Sequence, residues 1–111
     1  MSVSLARLAR NQALFREVNE RLLKLTDDGR DGSMAFVCEC SRVDCTSTVA
    51  MKHDEYESVR AHSKHFVVAP GHELLEVERV VDARNGFTVV EKETESDYAV
   101  ETDPRRAGAR A

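Results

Sequence analysis

The amino-acid sequence predicts an α+β fold, with a long N-terminal amphipathic helix and a small antiparallel sheet that carries a short helix. Three observations support this class. Apolar residues recur at helical spacing over residues 4–25, β-rich runs follow a Gly- and Asp-rich loop at 26–33, and the Asn85-Gly86 pair marks a hairpin. A chain of 111 residues suits one small domain.

The first helix is predicted from an apolar stripe. Leu8, Phe15 and Leu22 fall seven residues apart, and Val18 and Leu25 lie on the same side of the helix. We interpret this stripe as the face that packs on the rest of the domain. The alternative is a surface for a partner protein or for a second copy of the helix.

The predicted metal-bearing core spans residues 34–92 and consists of short strands. The runs "MAFV" and "STVAMK" favour two strands, and the segment between them contains the cysteines. Residues 53–62 favour a short helix, and "FVVA" favours a buried strand that ends at Pro70-Gly71. The first arm of the hairpin at Asn85-Gly86 also suits a helix.

Composition sets the domain boundary and excludes several classes of protein. Charged and small residues dominate from 93 to 111, which predicts a disordered tail after a domain over residues 1–92. No run of about 18 apolar residues occurs, so we expect no membrane span. The first residues lack the pattern of a signal peptide, and we expect a cytoplasmic protein. The net charge of −4 argues against a general nucleic-acid binder.

All three cysteines lie in "FVCECSRVDC", residues 36–45. An odd cluster of this kind in a cytoplasmic chain indicates metal binding rather than disulfide bonding. One residue between Cys38 and Cys40 puts both side chains on one face of an extended segment, and four more residues let Cys45 turn back to the same point. Zinc prefers thiolate and imidazole ligands, so the segment predicts a Zn²⁺ site that needs one more ligand. Three buried apolar cysteines and an iron–sulfur cluster are the alternatives.

The fourth ligand is sought first among the histidines. His72 is preferred because it follows Pro70-Gly71 at the end of a strand, where a turn can present a side chain inward. His65 is second because it opens a strand, whereas His53 starts a helix and His62 is expected in solvent. Acidic residues also bind zinc, and three remain as weaker alternatives: Glu39, Asp44 and Glu73.

A site closed by four protein ligands argues against an enzyme. Catalytic zinc keeps an open coordination position, and zinc deaminases need a C-x-x-C pair that this chain lacks. No nucleophile elbow, P-loop or Gly-rich dinucleotide loop occurs in the sequence. We therefore expect a structural metal and no catalytic residue.

The chain from Arg10 to Lys92 resembles a group of small uncharacterised actinobacterial proteins, which occur alone or beside signalling domains. The resemblance is carried by "RNQALFREVNER", "FVCEC…DC", "YESVR", "FVVAPGHE" and "VVEK". It implies that the three cysteines and His72 form a shared site, and it implies no activity. It also directs attention to four polar residues of the first helix, which we expect on a solvated face, with caps or bridges to the cysteine loop as the alternative: Asn11, Gln12, Asn19 and Glu20.

The sequence therefore favours a small zinc-binding interaction or regulatory module, with a protein partner or self-association through the N-terminal helix. A zinc-thiolate redox sensor is one alternative. Another is a nucleic-acid-binding regulator, which the acidic balance and the 5% aromatic content disfavour. Its candidate residues are Arg7, Arg10, Arg16 and Arg21 on the first helix and Arg105 and Arg106 in the tail.

Overall fold

The computed structural model describes residues 4–25, 33–42 and 44–105 of the chain. Over these residues the fold is α+β, as the sequence predicts, with a long N-terminal helix, two small antiparallel sheets and two short helices. None of the helices in the described ranges is long and apolar enough to cross a membrane. In chain order the elements are α1 (Leu5–Leu25), β1 (Ser33–Val37), β2 (Thr48–Lys52), α2 (His53–Arg60), β3 (His65–Val68), β4 (Glu78–Arg84), β5 (Phe87–Lys92) and α3 (Ser96–Glu101).

Strands β1 and β2 form an antiparallel pair whose connection is the cysteine segment. Ser33 lies opposite Lys52 at one end, and Val37 lies opposite Thr48 at the end next to the cysteines. The structure confirms both predicted strands on either side of this segment. The loop predicted over 26–33 lies, except for its last residue, outside the described residues.

Strands β3, β5 and β4 form a second antiparallel sheet, in that spatial order. The β4–β5 hairpin turns at Asn85-Gly86, with Arg84 opposite Phe87. Gly86 has a φ of 99°, a conformation that residues with a side chain rarely adopt. The predicted hairpin is thus confirmed, and its first arm is a strand rather than a helix.

The apolar core is built from both sheets and α2. The ring of Phe36 on β1 stacks on that of Tyr56 on α2, with centroids 4.4 Å apart. Both residues are buried, as are Phe66 on β3 and Val90 on β5. Burying one such apolar side chain contributes about 1.5–3 kcal/mol. Within the described residues α1 adds only Leu23 to this cluster.

Helix α1 does not pack through the predicted apolar stripe. Leu25 is 81% exposed and Val18 is 37% exposed, whereas Leu8, Phe15 and Leu22 are half-buried. The buried side chains of α1 are mostly polar: Ala9, Gln12, Arg16, Asn19, Glu20 and Leu23. The expected solvated face is therefore wrong for three of its four residues, because the segments facing α1 present carbonyl oxygens and charged groups to it.

The fully buried Arg16 connects α1 to the C-terminal segment. Its Nη atoms donate to the backbone oxygens of Ser63 at 2.7 Å and Ala99 at 2.8 Å. Its guanidinium also lies 4.7 Å from the centre of the Phe66 ring, a cation–π contact. Because all these partners are internal, Arg16 is not part of a basic surface.

The chain after β5 is folded onto the domain, although the sequence predicts a disordered tail over residues 93–111. Helix α3 forms within it, and Asp103 is only 2% exposed. The structure thus differs from the prediction over residues 93–105. Residues 106–111, including Arg106, lie outside the described residues.

Ion pairs hold this segment in place. The Arg60 guanidinium contacts both Glu20 of α1 and Asp103. Arg105 donates to the two carboxylate oxygens of Glu20 at 2.6 and 2.9 Å, and to Glu57 at 2.7 Å. The charges that suggested a solvated tail neutralise buried charges on α1 and α2 instead.

Replacing Asp103 with alanine should lower the free energy of unfolding by about 3 kcal/mol, because it leaves the buried Arg60 with one carboxylate fewer. Urea denaturation followed by circular dichroism measures this loss. Asp97→Ala, at an exposed position of α3, is the matched control and should stay within about 0.5 kcal/mol of the unmodified chain. Equal stability of the two variants would contradict a buried role for the segment.

Candidate metal centre

Three cysteines and one histidine converge at the end of the β1–β2 pair. The sulfur atoms of Cys38, Cys40 and Cys45 and a ring nitrogen of His72 all lie within 4.8 Å of one another. Cys38 and Cys40 are buried, and the other two residues are half-buried. The fold therefore brings together the four residues predicted as ligands, and their arrangement is compatible with a metal site.

The cysteine segment is positioned by backbone hydrogen bonds on both sides. The Cys38 N–H donates to Ser47 O at 3.1 Å, which continues the β1–β2 ladder beyond its last strand pair. The Glu39 N–H donates to Val67 O on β3 at 2.7 Å. Side chains alternate along an extended chain, so Glu39 and the two flanking cysteines project in opposite directions. A turn then returns the chain, with the Cys45 N–H donating to Arg42 O at 3.2 Å.

His72 is brought to the cysteines by a tight turn after β3. Its N–H donates to Ala69 O at 2.9 Å across Pro70-Gly71, and Gly71 has a φ of 89°. Proline followed by a positive-φ glycine is the composition of a type II turn. At the start of this turn the Ala69 N–H donates to Cys38 Sγ at 3.1 Å. The turn thus contacts the cysteine loop through backbone as well as through the imidazole.

Two of the donor separations match those expected around a tetrahedral ion. Zinc bonds of about 2.3 Å to sulfur and about 2.0–2.1 Å to nitrogen, at tetrahedral angles, separate sulfur from nitrogen by about 3.5–3.6 Å. Cys38 Sγ and Cys45 Sγ each lie 3.6 Å from His72 Nδ1. A thiol–imidazole hydrogen bond has a similar length, and the convergence of a third sulfur is compatible with a metal site as well.

The two buried cysteines affect each other's ionisation. Hydrogen bonding between the sulfurs lowers the pKa of Cys40 to about 4 and raises the pKa of Cys38. Strong coupling of this kind makes one thiolate and one thiol the stable state of the pair. Metals bind thiolates, so the remaining proton would leave when a cation binds.

The other residues considered as fourth ligand lie elsewhere. The rings of His62 and His65 contact each other at a tilt of 32°, with centroids 4.4 Å apart, and line a cleft of about 390 Å³ between α2 and the second sheet. His53 is the first residue of α2. The acidic alternatives Asp44 and Glu73 do not join the donor group found among the described residues.

Glu39, a weaker ligand alternative in the sequence, instead accepts hydrogen bonds beneath the cysteines. Its buried carboxylate accepts from Asn19 Nδ2 and the Val67 N–H, each at 2.9 Å, and from the Tyr56 hydroxyl. Burial raises the pKa of this carboxyl group, and the hydrogen bonds from Asn19 and Tyr56 oppose the rise. The side chain between the two cysteines therefore connects α1, α2 and β3.

Amide side chains of α1 bind the backbone of the same segment. Asn19 pairs with the N–H and the carbonyl oxygen of Val37, both at 2.8 Å. Gln12 donates to Glu39 O at 2.9 Å, and Asn11 donates to Ser41 O at 3.0 Å. The sequence favoured a solvated face for these amides, with bonding to the cysteine loop as the alternative, and the structure shows the alternative.

No family model, curated protein sequence or solved structure matches this chain. The interpretation of the cluster therefore depends on its own geometry and donor chemistry. Both are compatible with a transition-metal ion, for which thiolate and imidazole donors are typical.

Tyr56→Phe should lower the free energy of unfolding by about 1.5–3 kcal/mol, the usual contribution of a hydrogen bond to a charged group. The stacking on Phe36 would be kept, so the loss would report the bond to Glu39. Chemical denaturation followed by circular dichroism measures this loss. Tyr98→Phe, at the other tyrosine, is the control, and an equal effect in both variants would contradict the role given to Glu39.

Proposed function

We propose that this protein is a small interaction or regulatory module that binds Zn²⁺ at a structural, non-catalytic site. The ligands are Cys38, Cys40, Cys45 and His72. The observation that carries the proposal is the convergence of these donors, with sulfur–nitrogen separations of 3.6 Å. The ion would hold the cysteine loop against the turn that follows β3.

The donor set favours zinc among the common metals. Three thiolates and one imidazole form a recurrent structural zinc set, whereas hard cations such as Mg²⁺ and Ca²⁺ prefer oxygen ligands. Iron–sulfur clusters normally take four cysteines, and this chain has three. Zinc is also redox-inert, which suits a site whose role is to hold two segments together.

A non-catalytic role is supported by the surroundings of the site. Four protein donors complete a tetrahedron and leave no position for a water molecule. Glu39, the carboxylate between two of the proposed ligands, has both oxygens engaged by buried donors. It is therefore unavailable as a general base.

A protein partner is favoured over a nucleic acid. Apolar side chains on α1 are accessible, with Leu14 55% and Leu25 81% exposed. Two of the arginines considered for nucleic-acid binding are engaged internally, since Arg16 is buried and Arg105 is paired with Glu20 and Glu57. Exposed apolar side chains fit a protein partner better than a nucleic acid, so we propose that the partner docks on α1.

Native mass spectrometry should find one Zn²⁺ per chain. Substitution with Co²⁺ should give sulfur-to-cobalt charge-transfer absorption, because thiolates coordinate the ion. Cys40→Ser should lose the ion. A purified wild-type chain that binds neither Zn²⁺ nor Co²⁺ would overturn the proposal.

His72→Ala should weaken Zn²⁺ binding more than about 100-fold, since it removes a direct ligand. Competition with a chromophoric chelator measures the affinity. His65→Ala is the matched control, because the His65 ring contacts His62 instead, and the affinity of this variant should remain within about twofold of wild type. The opposite ranking of the two variants would show that the ligand is misassigned.

A further inference from the structure

Helix α1 is attached to the domain mainly by polar contacts. Four of its six buried residues are Gln12, Arg16, Asn19 and Glu20, and it gives only Leu23 to the apolar core formed by the described residues. Hydrogen bonds exchange with water at little net gain and depend on geometry, unlike apolar burial. The attachment of α1 therefore depends on whether its acceptors stay in place.

Those acceptors belong to the proposed metal loop. Asn19, Gln12 and Asn11 bind the carbonyl oxygens of Val37, Glu39 and Ser41, which alternate with Cys38 and Cys40 along the chain. The eight-residue step from Asn11 to Asn19 rises about 12 Å along a helix. The four-residue step along the loop spans about 13 Å only when the loop is extended. The helix thus fits the loop in one conformation.

Docking also leaves buried polar atoms unpaired. Gln12 Oε1 and Arg16 Nε are buried and have no hydrogen-bond partner within the described part of the chain. An unpaired buried polar atom is destabilising, and water would satisfy both atoms if α1 moved away. The docked state therefore depends on the bonds to the loop more than a fully paired interface would.

We propose that α1 is a metal-controlled element: its docking depends on the loop conformation held by the metal ligands, and loss of the metal releases α1 while the second sheet stays folded. This inference rests on the proposed function. The C-terminal segment would loosen with the helix, because Arg16 and Glu20 hold Ala99 and Arg105. The regulated surface of the module is then α1 itself.

Thermodynamic linkage makes the coupling reciprocal. If metal binding favours docking of α1, contacts that dock α1 must raise the affinity for the metal by the same factor. Removing a helix side chain that touches no ligand should therefore weaken metal binding. Typical coupling between sites corresponds to about 5–150-fold.

Hydrogen–deuterium exchange of the full chain, with Zn²⁺ and after removal of Zn²⁺ by EDTA, tests the release. Amide exchange over Leu5–Leu25 should rise at least about tenfold, while Phe87–Lys92 stays protected. An unchanged α1, or equal loss of protection in both elements, would overturn the inference. Native mass spectrometry of the same sample separates the two proposals: a chain without Zn²⁺ fails the proposed function, whereas a Zn²⁺-loaded chain with insensitive α1 fails only this one.

Variants test the reciprocity. Asn19→Ala should weaken Zn²⁺ binding about 5–150-fold and speed exchange of α1 in the metal-loaded chain. Arg10→Ala, on the exposed side of the helix, is the control and should change neither. Asn11→Ala removes one bond to the loop and should have the same effects at smaller size. It is the test variant if Asn19→Ala does not fold. Wild-type affinity in a folded Asn19→Ala or Asn11→Ala variant would contradict the coupling.

Discussion

The buried carboxylate of Glu39 is the group on which the arrangement of this domain depends. It accepts hydrogen bonds from α1 through Asn19, from α2 through Tyr56 and from β3 through the Val67 backbone. Burying an unpaired carboxylate costs several kcal/mol, so all three donors are needed to satisfy it when α1 is docked. Because its chain neighbours are Cys38 and Cys40, the same requirement fixes where the thiols lie.

Alternation along the cysteine segment separates two kinds of chemistry. One side of the extended chain carries Cys38 and Cys40, and the other carries Glu39. The backbone of Glu39 also forms hydrogen bonds: its N–H donates to Val67 O, and its carbonyl oxygen accepts from Gln12. Glu39 therefore links the position of the sulfurs to α1, α2 and β3. This is why β1 and its loop contact most of the other elements near the site.

Local patterns in the sequence predicted much of this fold and site. Cys38, Cys40 and Cys45 are close in sequence, and the Pro70-Gly71 turn placed His72 where a fourth donor was needed. The buried face of α1 was not predictable in this way, because the apolar spacing favoured the stripe that contains Leu8, Phe15 and Leu22. Its partners include backbone carbonyls 18 to 83 residues away, whose exposure no local pattern reveals. The C-terminal segment was missed for a related reason, since its charges pair with charges distant in sequence.

Charge balance explains why a cation at the cysteines and the docking of α1 should depend on each other. Gln12 and Asn19 each bring the helix against a buried carboxylate, Glu78 and Glu39 respectively. Burial raises the pKa of Glu78, and the nearby Cys40 sulfur adds to the rise, so carboxylate and thiolate repel each other. A divalent cation at the cysteines would offset part of this negative charge. Without a cation the repulsion falls on the segment whose carbonyl oxygens α1 binds, and the helix has little apolar contact of its own to resist the displacement.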